Sequence, residues 1–117
     1  MNRIEAIVLA MAAAAAAYFR PNAGYLKRPE GESYLALKQL LAEKYPTVHN
    51  DILAIGPAST ERQALLKTQL EQAKADEDTA VLSHTKKLIQ LLLEHDPKSA
   101  TAVFATPADL QTALSTL

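Results

Sequence analysis

Large apolar side chains open the chain at Ile4, Ile7, Val8, Met11, Tyr18 and Phe19, with Ala15 on the same stripe. This is helical spacing, and it predicts a first helix over about residues 2–20. Residues 6–19 (AIVLAMAAAAAAYF) carry no charge, Gly or Pro, and the run of alanines leaves the rest of the helix surface smooth and apolar. Such a helix is only weakly amphipathic: it can pack inside a bundle or dissolve in lipid. Pro21 stops it. Residues 21–31 (PNAGYLKRPEG) read as a loop. A second helix follows from about Glu32 to Lys44, with Tyr34, Leu37, Leu40 and Leu41 on its apolar face, and Tyr45-Pro46 ends it. Residues 47–57 hold a short helical turn through Val48, Ile52 and Leu53 before the Gly56-Pro57 break. A third helix runs from Thr60 to about Lys74, where Thr60 and Gln63 match a capping box and Leu66, Leu70 and Ala73 share a face. Asp78 is the expected N-cap of a fourth helix to about His95, striped by Val81, Leu82, Leu88, Ile89 and Leu92 and widened by Leu91 and Leu93. Its density of Leu and Ile marks it as the most buried helix. Asp96-Pro97 closes it. Thr106-Pro107-Ala108-Asp109 starts a short fifth helix to about Thr116.

The fold class is therefore all-α: a four-helix bundle with a short fifth C-terminal helix, forming a single domain over residues 1–117. Composition agrees, since Ala, Leu, Glu, Lys and Gln dominate and the β-branched and aromatic runs of strands are absent. The net charge of −1 offers nothing to nucleic acid. With no cysteine, a disulfide framework and a thiolate metal site are excluded.

The first helix has some features of a cleaved leader, with an apolar stretch and small residues, but Glu5 is acidic and Arg3 is the only basic side chain before it. As a transmembrane span it is short: residues 6–19 cover about 21 Å, against about 30 Å of hydrocarbon. A conditional or oligomeric insert stays open for residues 1–20. Alanine buries little area per residue, so this helix is expected to be held less firmly than the fourth. Arg20, Lys27 and Arg28 follow it, positioned either to meet anionic lipid headgroups or to form a solvated loop.

The rest of the chain offers little chemistry. His49, His84 and His95 form no i, i+4 pair, and His95 suits the C-terminal dipole of the fourth helix. Glu71, Asp76, Glu77 and Asp78 sit beside helix caps rather than in a paired acid–base arrangement. With no nucleophile triad and no phosphate-cradling loop, no enzyme, metal or cofactor is expected.

Glu5-Ala6-Ile7-Val8 with the Ala-rich run, the Tyr34-x-x-Leu37-Lys38-x-Leu40-Leu41 helix ending at Tyr45, and the Asp78-opened, Leu-rich helix ending at Asp96-Pro97 together resemble bacterial Bell domains, over roughly residues 3–97. These are similar to HeLo and HeLo-like domains and to the four-helix bundle of the mixed lineage kinase domain-like protein. The resemblance implies a membrane-permeabilising cell-death effector of bacterial immunity. It would be cytoplasmic at rest and would move to the inner face of the membrane after self-association. An NLR-type receptor would template it through an amyloid motif. Ile4, Ile7, Val8, Met11 and Phe19 would then engage the membrane. Loop 21–31 is longer than the family's usual link. No amyloid motif precedes Leu117, and residues 99–105 are too short and Ala-rich to serve; either the motif lies beyond this chain or signalling differs. The alternative is a soluble adaptor bundle that recruits partners and never meets lipid.

Overall fold

The computed structural model describes residues 1–18, 29–49, 52–53, 56, 58–95 and 107–117. Five α-helices follow in order: α1 (Arg3–Tyr18), α2 (Pro29–Lys44), α3 (Thr60–Ala73), α4 (Thr79–His95) and α5 (Pro107–Thr116), with a 3-10 turn at Ala75–Glu77 between α3 and α4. No strand occurs among the described residues. The all-helical bundle with a short C-terminal helix is the fold the apolar periodicity predicts.

Local chemistry sets the ends. Asn2 and Glu5 cap α1 reciprocally: the Glu5 N–H donates to Asn2 Oδ1 at 2.8 Å and the Asn2 N–H donates to Glu5 Oε1 at 3.1 Å. The Asn2-x-x-Glu5 spacing is itself a capping-box signature, which the apolar pattern alone does not show. Helix α2 starts at Pro29, inside the segment expected to be loop. Pro is pre-set for the first helical position, and Glu30 and Glu32 favour the dipole of that first turn. For α3 the expected cap is one residue too late. Ser59 is the N-cap, its Oγ accepting from the Arg62 N–H at 3.3 Å. The helix ends one residue before the expected Lys74, which adopts the left-handed conformation (φ 55°, ψ 39°). Asp78 caps α4 as expected, with Oδ1 accepting from Ala80 N–H at 2.9 Å and Val81 N–H at 3.2 Å. The capping residue expected for α5, Thr106, lies outside the described residues.

The layout differs from the sequence expectation in one decisive respect. Helix α1 packs against α2, α3, α4 and α5, whereas α3 packs chiefly on α1 and the 3-10 turn. Helices α2 and α4 form the most extensive pair and run antiparallel, since Lys44 and Tyr45 at the end of α2 meet Asp78 at the start of α4. The core is therefore built around α1. Around it stand Tyr34, Leu37 and Leu41 of α2, Leu66 and Leu70 of α3, Val81, Leu88, Ile89 and Leu92 of α4, and Leu110 and Ala113 of α5. Val48 and Leu53 of the α2–α3 connection close one side. That connection is strapped to α3 by the His49 N–H donating to Gln69 Oε1 at 2.6 Å and by Arg62 Nη1 donating to the Ile52 carbonyl at 3.2 Å.

Candidate functional site

The candidate site is α1 itself. From Ala6 to Ala17 every described side chain is apolar, and all but Leu9 and Ala16 are buried. Of the side chains expected to engage membrane, Ile7 and Met11 are fully covered, and Ile4 and Val8 retain only 4 % and 6 % exposure. Phe19, Arg20, Lys27 and Arg28 lie outside the described residues.

This burial overturns the expectation that α1 is held less firmly than α4. Each alanine removes little area from water, but a methyl surface lets neighbouring helices approach on all sides, so α1 can take the central place. Helix α4, by contrast, keeps an exposed polar flank at Lys86, Lys87 and Gln90. A helix that is apolar all round belongs in the centre of a bundle or in lipid, and here it is in the centre. By the usual scale, burying Ile4, Ile7, Val8 and Met11 contributes about 1.5–3 kcal/mol each, and each alanine methyl about 0.8 kcal/mol. The sum approaches or exceeds the 5–15 kcal/mol typical of a whole domain's net stability. Helix α1 cannot leave for water without unfolding the bundle.

At its N-terminal end α1 borders a groove of about 390 Å³, lined by Met1, Glu5, Val8 and Leu9 of the N-terminal segment, Thr60, Gln63, Ala64 and Lys67 of α3, and Asp109 of α5. A cleft of about 280 Å³ lies between Pro29, Glu32, Ser33 and Ala36 of α2 and His84, Lys87 and Leu91 of α4. Neither gathers the elements of a catalytic centre. His49 and His95 are exposed and His84 is half-buried, and among the described residues no three His, Cys, Asp or Glu side chains converge on a metal position.

Asp78 ties the end of α2 to the start of α4. Its Oδ2 accepts from Tyr45 Oη at 2.6 Å and from Lys44 Nζ at 3.3 Å, while Oδ1 caps α4. The Tyr45 hydroxyl, then the backbone N–H of Val81, Lys44 and the N–H of Ala80, outweigh the cost of burial and lower the Asp78 carboxyl to about 2. The same hydrogen bond, with burial and the Asp78 charge, raises the Tyr45 phenol above its ordinary value. The cap was legible in the sequence. The contacts to residues more than thirty positions away were not.

The chain matches the model of the Het-E N-terminal domain over residues 1–115 and belongs to that family, which is a HeLo-related cell-death family. The HeLo-like relation expected from the sequence is thus sustained, although the matching family is not specifically the bacterial Bell domain. No curated protein and no solved structure matches the chain significantly.

Proposed function

We propose that this domain is a cell-death effector that permeabilises membranes once it self-associates, using α1 as the segment delivered to lipid. The observation that carries this reading is the all-round apolarity of α1 between Glu5 and Tyr18. Lipid tails are about as apolar as a leucine core, so moving α1 from bundle to bilayer exchanges one apolar environment for another. The main cost is the stripped inner faces of α2–α5. Clustering offsets it by letting those faces re-pack against one another or against acyl chains. Among the described residues no helix is long and apolar enough to cross a membrane. The 16 residues of α1 span about 24 Å against a hydrocarbon core of about 30 Å. An inserted cluster of such helices must therefore thin the bilayer, and local thinning is a route to leakage. In this scheme Arg20, Lys27 and Arg28 meet anionic headgroups, and an NLR-type receptor acting from the cytoplasm, through an amyloid template, supplies the clustering.

One observation favours a second reading. The burial of α1 on every side is what a soluble adaptor bundle requires, with α1 serving purely as its core. The two readings separate in a tethering experiment. Leu9 and Ala64 line the same groove on α1 and α3, and the chain has no cysteine of its own. Leu9→Cys with Ala64→Cys, bridged by a short reducible bis-maleimide, ties α1 into the bundle. The protein is fused to an inducible oligomerising tag and added to dye-loaded anionic liposomes. The effector reading expects leakage from the clustered, untied protein, loss of leakage when tied, and its return on reduction. Leakage from the tied protein refutes delivery of α1. No leakage from any folded, clustered form leaves the adaptor.

A further inference from the structure

The two ends of the α2–α4 seam are built differently. At the end where α2 finishes, one carboxylate holds both helices: Asp78 Oδ2 accepts from Tyr45 Oη at 2.6 Å and from Lys44 Nζ at 3.3 Å, while its Oδ1 caps the first turn of α4. The Asp78 side chain is only 13 % exposed, so these charge-assisted bonds are partly shielded from water. At the other end the described residues leave a cleft between the helices. The cleft of about 280 Å³ separates Pro29, Ser33 and Ala36 from His84, Lys87 and Leu91. Ser33 is 6 % exposed, and its hydroxyl makes no hydrogen bond among the described residues. A buried hydroxyl left unsatisfied and a gap between helices both weaken the closed seam, and both are relieved when it parts.

We infer that the α2–α4 seam is the line along which the bundle opens to uncover α1, and that the Lys44–Tyr45–Asp78 clasp holds it shut. This rests on the proposed delivery of α1. Helix α1 lies against both α2 and α4, and the buried side chains of the two seam helices, Tyr34, Leu37 and Leu41 of α2 and Val81, Leu88 and Leu92 of α4, belong to the core built around it. Parting the seam exposes one side of α1 while α3 and α5 still hold it. The open form is thus a partly opened bundle rather than an unfolded chain. The clasp fastens the end opposite the cleft, where α2 would otherwise swing free about the cleft end.

The test is native-state hydrogen exchange across a urea series, comparing Tyr45→Phe with Ser59→Ala, a loss of helix cap remote from the seam. Tyr45→Phe removes one bond to a charged group and leaves the α4 cap intact. Its loss corresponds to an increase of about tenfold or more in the opening equilibrium. The expected result is that amides of α1, α2 and α4 exchange faster by that factor, with weak urea dependence, while α3 and α5 are unchanged. Lys44→Met gives a smaller change of the same kind, because Lys44 is half-exposed. Ser59→Ala accelerates α3 and raises α1 exchange only through global, strongly urea-dependent unfolding. The inference is overturned if Tyr45→Phe accelerates only the last turn of α2 and the first of α4, or if it accelerates all five helices alike. Dye release separates the two levels of the scheme. Faster α1 exchange without leakage from clustered Tyr45→Phe sustains the seam and refutes the membrane reading.

Discussion

Adding bulk to the alanine run and removing bulk from the same helix should have very unequal consequences for membrane activity, although both destabilise the fold. Ala13 is fully buried in α1. Ala13→Leu forces three carbons into a filled space and raises the closed state by about 1–3 kcal/mol. In lipid the same three carbons are favourable, by about 0.8 kcal/mol each. Relative to the closed bundle, the lipid-bound state gains about 3–5 kcal/mol, a shift of roughly two to four powers of ten. Ile7 is also fully buried. Ile7→Ala costs the closed state about 2–5 kcal/mol, but it also removes about 2.4 kcal/mol of favourable lipid contact, so the balance between bundle and bilayer moves much less. Urea unfolding of both variants reports the stability loss, and the degree of clustering needed for half-maximal dye release reports the balance. Ala13→Leu should lower that threshold strongly and Ile7→Ala only slightly, at comparable loss of stability. If both lower it equally, leakage follows instability and not the apolarity of α1. If neither changes it, α1 takes no part. Deleting residues 1–20 or introducing Ile7→Glu is not an adequate substitute: the first removes the centre of the core, and the second buries a charge there.

Asp78 makes stability depend on pH in acid. Its folded carboxyl is lowered to about 2 from an ordinary 3.8, so its contribution is complete above about pH 4 and is lost as pH falls through about 2. The contribution should be about 2 kcal/mol; chemical denaturation between pH 5 and 2 should show it, and Asp78→Asn should flatten that limb of the profile. Ser59→Ala should cost about 1 kcal/mol in urea melts, whereas Thr60→Ala should cost only a few tenths, and the reverse order would restore Thr60 as the cap. Lys74 holds a left-handed backbone, so Lys74→Gly should raise stability by about 0.5–1 kcal/mol in the same melts.

The helices were legible in the sequence because what starts and stops a helix is local. Proline at 46 and 107, the Asp78 cap and the 3.6-residue spacing of Leu in α4 act within a turn or two of themselves. Boundary errors arose where two local signals competed. Pro29 suits a loop as well as a first helical turn, and Ser59 and Thr60 offer adjacent hydroxyls of which only one can cap. The apolar character of α1 was equally plain, and with it the capacity to live in a core or in lipid. Its place was not. A run of alanines has no preferred face, so periodicity gives it no direction, and area per residue ranks it below a leucine stripe. Only the arrangement of α2–α5 made it the centre, because a slim helix is the one that four others can surround at close range. In the same way, sequence marked Asp78 as a helix cap, but the return of the chain brought Lys44 and Tyr45 to its second oxygen. A carboxylate has lone pairs to spare after capping, and which donors take them is decided by packing rather than by neighbours along the chain.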